Sequence, residues 1–369
     1  MQGQVEVSYP SNSVVSNRPF AIQKLFMNRR PAELVQLVGL SYSLCGQAQK
    51  FAANSVLDLL TEQEALRALD LVMVESLREH LLSIVQMLQK LNLINQAEQI
   101  AFMSGVGRWV PRFKAAKNLE EQQIIIGEIL AEYEKLIDGQ DWLKCFSAIE
   151  SKPKDSIELA GLLGQLMQAL NVDFKTENAS AEITKSQLHA INHDVLFSNL
   201  NSCNWNEWAS KPEVGGKAIE NSAFSRIAQG SNDWCELAVK APLKTRLLAR
   251  FIDIKQHLEA LLSKDNNQSF KNKLFGKAKV SDSEQIAWVE TARGRLYHFA
   301  QAQGLNEPVQ SYVISAPTEW NFHPQGVAGN LIGSLKNSSY DQWKTDVSMI
   351  AQIIDPCVPL AFIEEQMHA

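Results

Sequence analysis

Four short segments of this chain carry side chains that could do chemistry together. Cys45-Gly46-Gln47-Ala48 follows Arg30-Pro31 after a helical run, and Asp355-Pro356-Cys357 comes late in the sequence. Between them stand Glu290-Thr291-Ala292-Arg293-Gly294 and Ala316-Pro317-Thr318-Glu319-Trp320-Asn321, with Pro324 just beyond. Ionised cysteine sulfur is both a nucleophile and a soft-metal ligand. A guanidinium is a planar donor fork that stays charged when buried, and a threonine hydroxyl can both give and accept a hydrogen bond. Taken singly, each residue also has a plainer reading. Cys45 fits a small apolar residue on an apolar helix, and Arg293, beside a glycine, could pair with Glu290 or cap a turn. Cys145, Cys203 and Cys235 sit in no motif, the last two near Trp205 and Trp234, as packing residues often do. His298 and His323 read as structural hydrogen-bond partners, and Asn321 as a residue that fixes a turn through backbone hydrogen bonds. The sequence has no GxSxG elbow, phosphate-cradling glycine loop, dinucleotide fingerprint, HExxH or paired CxxC, which removes the common alternative enzymes.

In order and placement these segments resemble the motifs of the large subunit of nickel–iron hydrogenases. Arg30-Pro31 and Cys45-Gly46 resemble that family's Arg-x-Cys-Gly-x-Cys-x-x-x-His. Arg293-Gly294 followed by Pro317-Thr318-x-Trp320-Asn321 resembles its EAPRG and P-[ST]-x-W-N segments, and Asp355-Pro356-Cys357 its Asp-Pro-Cys-x-x-Cys-x-x-His. The resemblance is dense over residues 29 to 60 and 284 to 363. The departures fall inside the same motifs: Ser43 stands where the family has Arg, Ala48 and Leu360 where it has the second cysteine of each pair, and Ala52 and Ile363 where it has histidine. Two of four thiolates remain, and losing the other two leaves nickel without its sulfur cage. The resemblance therefore implies a relative that binds no nickel and is not an enzyme, similar to the HupK/HoxV-type hydrogenase expression/formation proteins.

What the resemblance carries over is the surroundings of iron's diatomic ligands. It implies that Arg293 and the Thr318 hydroxyl would each donate to a cyanide, that Pro317 and Ala316 would line the dry wall beside carbon monoxide, and that Cys45 and Cys357 would be the metal ligands. The cargo it implies is an Fe(CN)2(CO) unit held transiently, on a scaffold for hydrogenase maturation. A metal-free chaperone that mimics the large subunit and engages maturation factors is the alternative. Either role implies hydrogenase subunits and HypC- or HypD-like maturation factors as partners.

The elements that must position these residues are mostly helical. Pro31 opens a helical run over residues 32 to 60, with Cys45 in mid-helix or at a break beside Gly46. Thr61 with Glu64 forms a capping box ahead of a second long helix, and Asn118 caps another. Asp155 or Ser156 can open one more, and a helical segment over 233 to 264 is ended or kinked by Pro242. Residues 265 to 283 read as an exposed connection. Two runs rich in β-branched and aromatic residues flank Gly304-Leu305-Asn306 and suggest a β-hairpin. Helical stretches at about 326 to 336 and 341 to 354 follow, the second delivering Asp355-Pro356-Cys357.

The expected fold class is α+β, mostly α: a large-subunit-like helical bundle with a small β-hairpin or sheet region toward the C-terminal third. Residues 1–28 read as a loosely ordered N-terminal segment, and 29–369 as a single domain with a polar excursion at 173–232. With 369 residues, 45% of them hydrophobic, the chain can bury a substantial core. A net charge of −6 offers no general attraction to nucleic acid or anionic lipid. No stretch approaches the run of apolar residues needed to cross a membrane, so no membrane insertion is expected. Five cysteines are few and odd in number, and the polar N-terminal stretch lacks a signal-peptide pattern, which together lead to a cytoplasmic expectation with reduced thiols.

Overall fold

The computed structural model describes residues 3–17, 20–138, 141–153, 159, 161–175, 184–191, 196, 204–263, 267–304, 307–336 and 339–365. The mostly helical α+β class is found. Strands β1 (Val5–Tyr9) and β2 (Val14–Ser16) precede helices α1 (Pro31–Ser41), α2 (Gly46–Val56), α3 (Glu62–Lys90), α4 (Gln96–Val106), α5 (Trp109–Ala115), α6 (Leu119–Leu136), α7 (Trp142–Ser151) and α8 (Gly161–Ala169). Then come α9 (Trp205–Ser210), α10 (Ala223–Ala228), α11 (Asn232–Lys240), α12 (Pro242–Leu262) and α13 (Gln268–Lys271). Strands β3 (Phe275–Lys279), β4 (Glu284–Thr291), β5 (Gly294–Gln301) and β6 (Ser311–Ser315) are followed by α14 (Pro317–Asn321), α15 (Val327–Gly333), α16 (Tyr340–Ile354) and β7 (Leu360–Glu364). Among the described residues no helix is long and apolar enough to cross a membrane.

Local chemistry explains the long elements. The Thr61 hydroxyl accepts from the Glu64 amide while the Glu64 carboxylate takes the Thr61 amide, so two otherwise orphaned donors at the start of α3 are satisfied reciprocally. Asn118 accepts from the Glu121 amide at 2.9 Å. Pro242 takes the first turn of α12, where its missing N–H costs nothing, and so separates α11 from α12. The possible helix start at Asp155 or Ser156 lies outside the described residues.

Several expectations are corrected. The run from 32 to 60 is two helices, and Cys45 lies at the break beside Gly46 that the sequence allowed, as the cap residue of the second. Gly46 explains the corner: a Cβ there would lie 2.9 Å from the Gly39 carbonyl oxygen, so only glycine lets α1 and α2 approach this closely. The described residues of the 1–28 segment, 3–17 and 20–28, are not loose. Val5 and Val7 of β1 are fully buried, and β1 pairs antiparallel with β2 and in parallel with β7, from the far end of the chain. The stretch 265 to 283 is not merely a connection, since β3 pairs with β4 along its whole length. The second sheet runs in the order β3-β4-β5-β6. The expected hairpin is present, since β5 and β6 pair antiparallel on either side of the segment holding Gly304, and a second, tighter hairpin turn falls at Ala292-Arg293. The polar stretch 173 to 232 supplies Glu220, Asn221, Ser225 and Arg226, all buried and all built into the structure around Arg293.

Helix α12 is the spine of the core. Arg246, Arg250, Asp253 and His257 recur at helical spacing on it, and all four are buried. Helix α2 packs on β4 and β5, tied there by the His298 ring, which bridges Gln49 Oε1 at 2.9 Å and the Tyr312 hydroxyl at 2.5 Å.

Candidate functional site

Arg293 projects from the two-residue turn between β4 and β5, and that turn is braced on every side. The Thr291 hydroxyl donates to the Gly294 carbonyl at 2.7 Å and accepts from the Arg293 amide at 3.2 Å. Gly294 has φ +131°, and a Cβ there would lie 2.2 Å from the Asn221 carbonyl oxygen, so glycine is required both by conformation and by contact. The Asn221 side chain pairs with both backbone groups of Arg295, at 2.7 and 2.8 Å. Asn321 does the same to the backbone of Asn221, at 2.9 and 2.7 Å. Asn321 does fix a turn through backbone groups, as its sequence suggested, but through a residue 100 positions away.

The Arg293 side chain is 9% exposed. It does not pair with Glu290. Both of its Nη atoms contact Glu79 Oε2 at 3.2 Å, and its Nε lies 3.3 Å from Asp355 Oδ2. Burial opposes its charge, but Asp355, Glu79 and then the thiols of Cys357 and Cys45 outweigh that and hold the guanidinium protonated. Both cysteines singled out from the sequence therefore lie within electrostatic reach of this one guanidinium. Glu290 is occupied elsewhere, by Arg226 and Arg295 at 2.6 Å and by His189 at 2.9 Å. Despite complete burial it is held well below the usual carboxylate range by Arg295, His189 and Arg226.

Thr318 sits in the first turn of α14, behind Pro317, which suits a helix start, and after Ala316, whose amide donates to Glu319 at 3.1 Å. The hydroxyl of Thr318 meets Cys357 twice: it donates to Sγ and accepts from the Cys357 amide, each at 3.1 Å. Helix α16 ends at Asp355 in a left-handed conformation, and the chain then turns through Pro356 and Cys357 into β7. Pairing of β7 with β1 holds Cys357 in place from the other side.

Cys45 is placed by charges the sequence reading did not assign. Glu75 caps α2, accepting from the amides of Gln47 and Ala48 at 2.9 Å each, and burial raises its carboxyl to about 7 against the pull of those two donors. Arg78 donates to the Leu44 carbonyl at 2.6 Å and to Glu79 Oε1 at 2.7 Å. Arg293, Glu79, Arg78 and the Leu44–Cys45 backbone thus form one connected chain of contacts. The available signal was Glu75 and Glu79, one helical turn apart in the apolar middle of α3.

At the positions of the missing ligands, Ala48 and Ala52 pack in the core and Leu360 and Ile363 lie in β7. Among the described residues no cluster of three or more His, Cys, Asp or Glu could hold a metal. Cys45, Cys145, Cys235 and Cys357 form no disulfide among the described residues, and Cys203 lies outside them. Cys235 is a packing residue bonded to Gln187 Nε2 at 3.3 Å. His298 is driven down to about 3 by burial, and His323 stands 3.3 Å from Glu213. Trp320 is fully buried against Trp208 and Tyr297.

Comparison with solved structures pairs this chain with the Ni-Fe-Se hydrogenase of Desulfovibrio vulgaris Hildenborough at a TM-score of 0.60 and 12% identity, over 94% of this chain and 92% of that one. The chain has the fold of a hydrogenase large subunit. An NAD+-reducing [NiFe]-hydrogenase shares this large-subunit fold at a TM-score of 0.51 and 11% identity, over 94% and 91% of the two chains. In sequence, the chain is 26% identical over 362 residues to a protein of Rhizobium leguminosarum bv. viciae named hydrogenase expression/formation protein HupK, covering 94% of this chain and 91% of that protein. It is 31% identical over 87 residues to the hydrogenase expression/formation protein HoxV of Cupriavidus necator, 23% of each chain. No family model matches.

Proposed function

We propose that this large-subunit-like chain is an accessory protein of nickel–iron hydrogenase maturation that transiently holds or relays an Fe(CN)2(CO) unit. It is not itself a hydrogenase on this reading. The observation that carries it is the meeting of Thr318 and Cys357 at 3.1 Å, with the buried Arg293 guanidinium linked through Glu79 and Arg78 to the Leu44 carbonyl beside Cys45. Cys45 and Cys357 are the thiolate donors, soft enough for low-valent iron. Arg293 keeps an N–H on each Nη beyond those committed to Glu79 and can donate to one cyanide nitrogen, while Thr318, whose single proton goes to Cys357 Sγ, donates to the other once its hydroxyl turns from the sulfur. Ala316 and Pro317, both buried, form the apolar wall for carbon monoxide. The partners are hydrogenase subunits and maturation factors of the HypC and HypD kind, and the place of work is the cytoplasm.

A second reading has an observation of its own. The Thr318 proton goes to Cys357 Sγ, both Arg293 Nη atoms lie on Glu79, and among the described residues no group of three or more His, Cys, Asp or Glu could hold a metal. That favours a metal-free chaperone which engages maturation factors by resembling the large subunit. Infrared spectroscopy on protein purified from cells with an intact maturation system separates the two. The iron-holding reading expects cyanide and carbon monoxide stretching bands, lost in Cys45→Ser and Cys357→Ser. If the bands never appear and both variants support full hydrogenase maturation, the chaperone reading replaces it.

A further inference from the structure

A small cavity of about 20 Å³ lies behind Arg293, bounded by Arg246, Arg250, Arg293, Asp355, Phe224 and Ile353. Neither Cys45, Cys357 nor Thr318 lines it, so it is separate from the thiol side of the pocket. Two buried cationic nitrogens there, Arg250 Nη2 and Arg293 Nε, have no hydrogen-bond partner. Both face the same acceptor, Asp355 Oδ2, at 3.7 and 3.3 Å, distances too long to satisfy a charged donor well.

The charges around the cavity are unevenly partnered. Arg246 is neutralised by a two-point pairing with Glu220, at 3.0 and 2.6 Å. Arg226 is matched by Asp253 and Glu290, with Arg295 as the fourth member of that group. Arg78 and Arg293 both reach Glu79, and Glu75, raised by burial to about 7, adds part of a negative charge beside Arg78. Arg250 makes no hydrogen bond to a carboxylate: its contacts are the Gln352 carbonyl at 3.3 Å, His80 Nδ1 at 3.4 Å on a ring that burial brings down to about 4, and Asp355 at 3.7 Å, which it shares with Arg293. A buried guanidinium so weakly partnered is a costly arrangement unless something supplies an anion.

We propose that this cavity is a binding site for one small inorganic monoanion, a halide or a pseudohalide of similar girth, held between Arg250 Nη2 and Arg293 Nε. A cavity of this size has room for about one water-sized guest, which favours a small anion over phosphate, sulfate or organic carboxylates. Asp355 sets the affinity from the other side, because it competes for the same two donors and repels any anion beside it. The site shares Arg293 with the iron-holding proposal, through Nε rather than Nη, but does not depend on it and remains if that proposal fails.

The test is bromide binding to the full-length protein. Bromide is titrated at constant ionic strength against gluconate, with thermal stability as readout, and crystals grown in bromide are examined for anomalous scattering. The expected results are a saturable stabilisation and one anomalous peak within hydrogen-bonding distance of both nitrogens. Arg250→Gln should weaken binding by about tenfold or more, the loss expected for one hydrogen bond to a charged group. Asp355→Asn should tighten it, since the competing charge is removed while the side chain keeps its shape. The second variant decides the matter if the first fails to fold. A water at this position, with bromide affinity unmoved by Asp355→Asn, would overturn the proposal.

Discussion

Replacing Arg226 with methionine tests the reasoning about the buried charges that brace the Arg293 turn. Arg226 donates to Asp253 from Nε and Nη2, at 2.9 and 2.6 Å, to Glu290 at 2.6 Å, and to the Thr291 carbonyl at 3.2 Å. Methionine has similar length, so the change removes charge and donors while leaving little void. Glu290 keeps Arg295. Asp253 keeps only His80, whose ring is neutral at pH 7 because burial lowers its pKa to about 4, and the buried His257, also lowered. A buried carboxylate stripped of its cation costs about 3–5 kcal/mol. At 1.36 kcal/mol per unit, that corresponds to a rise of about 2–4 units in the proton affinity of the Asp253 site.

The sign with pH follows. In the wild-type protein Asp253 and Glu290 are held well below the usual carboxylate range, so their contribution to stability is present above the unfolded carboxylate pKa near 4 and is lost as pH falls through the folded values. The variant lacks most of that contribution. The gap between the two proteins should therefore be widest near pH 7 and close as pH drops toward 3. Urea denaturation across this range, followed by circular dichroism, measures it. A loss under about 1 kcal/mol at pH 7, or a gap that does not change with pH, would refute this account of the network.

Gly294→Ala should lose more than a core methylene's worth of stability, about 2 kcal/mol or more, because it forces both a left-handed residue and a clash with the Asn221 carbonyl; chemical denaturation reads this directly. His298 should show no protonation between pH 5 and 8 by NMR, since burial has brought it down to about 3. With a folded pKa below the unfolded one near 6.5, its share of stability is intact above that value and falls away as pH drops toward 3. Thr318→Val should cost about 1–2 kcal/mol in the same denaturation assay, by leaving the Cys357 amide without its acceptor.

How far the sequence carried depends on how local the determining physics was. The capping box at Thr61, the Asn118 cap and the break at Pro242 were legible because each is settled by residues within one turn of helix. The motif segments around Cys45, Arg293, Thr318 and Cys357 were legible by type and order. Cys45 and Arg293 each had a plainer reading when taken alone. What the sequence could not rank was the choice among buried partners for one guanidinium: Glu290 is three residues from Arg293, yet Glu79 and Asp355 hold it.

Composition, helical periodicity and capping residues were enough to determine a mostly helical chain and the positions of its long helices, because those depend on backbone hydrogen bonds between near neighbours. The packing of β1 beside β7, the burial of Asn221 and Arg226 from a polar stretch, and the convergence of α2, α3, α16 and the β4–β5 turn on Arg293 were decided only in three dimensions. Each of these joins residues far apart in the chain, where desolvated charges and backbone groups must find partners wherever the fold brings them.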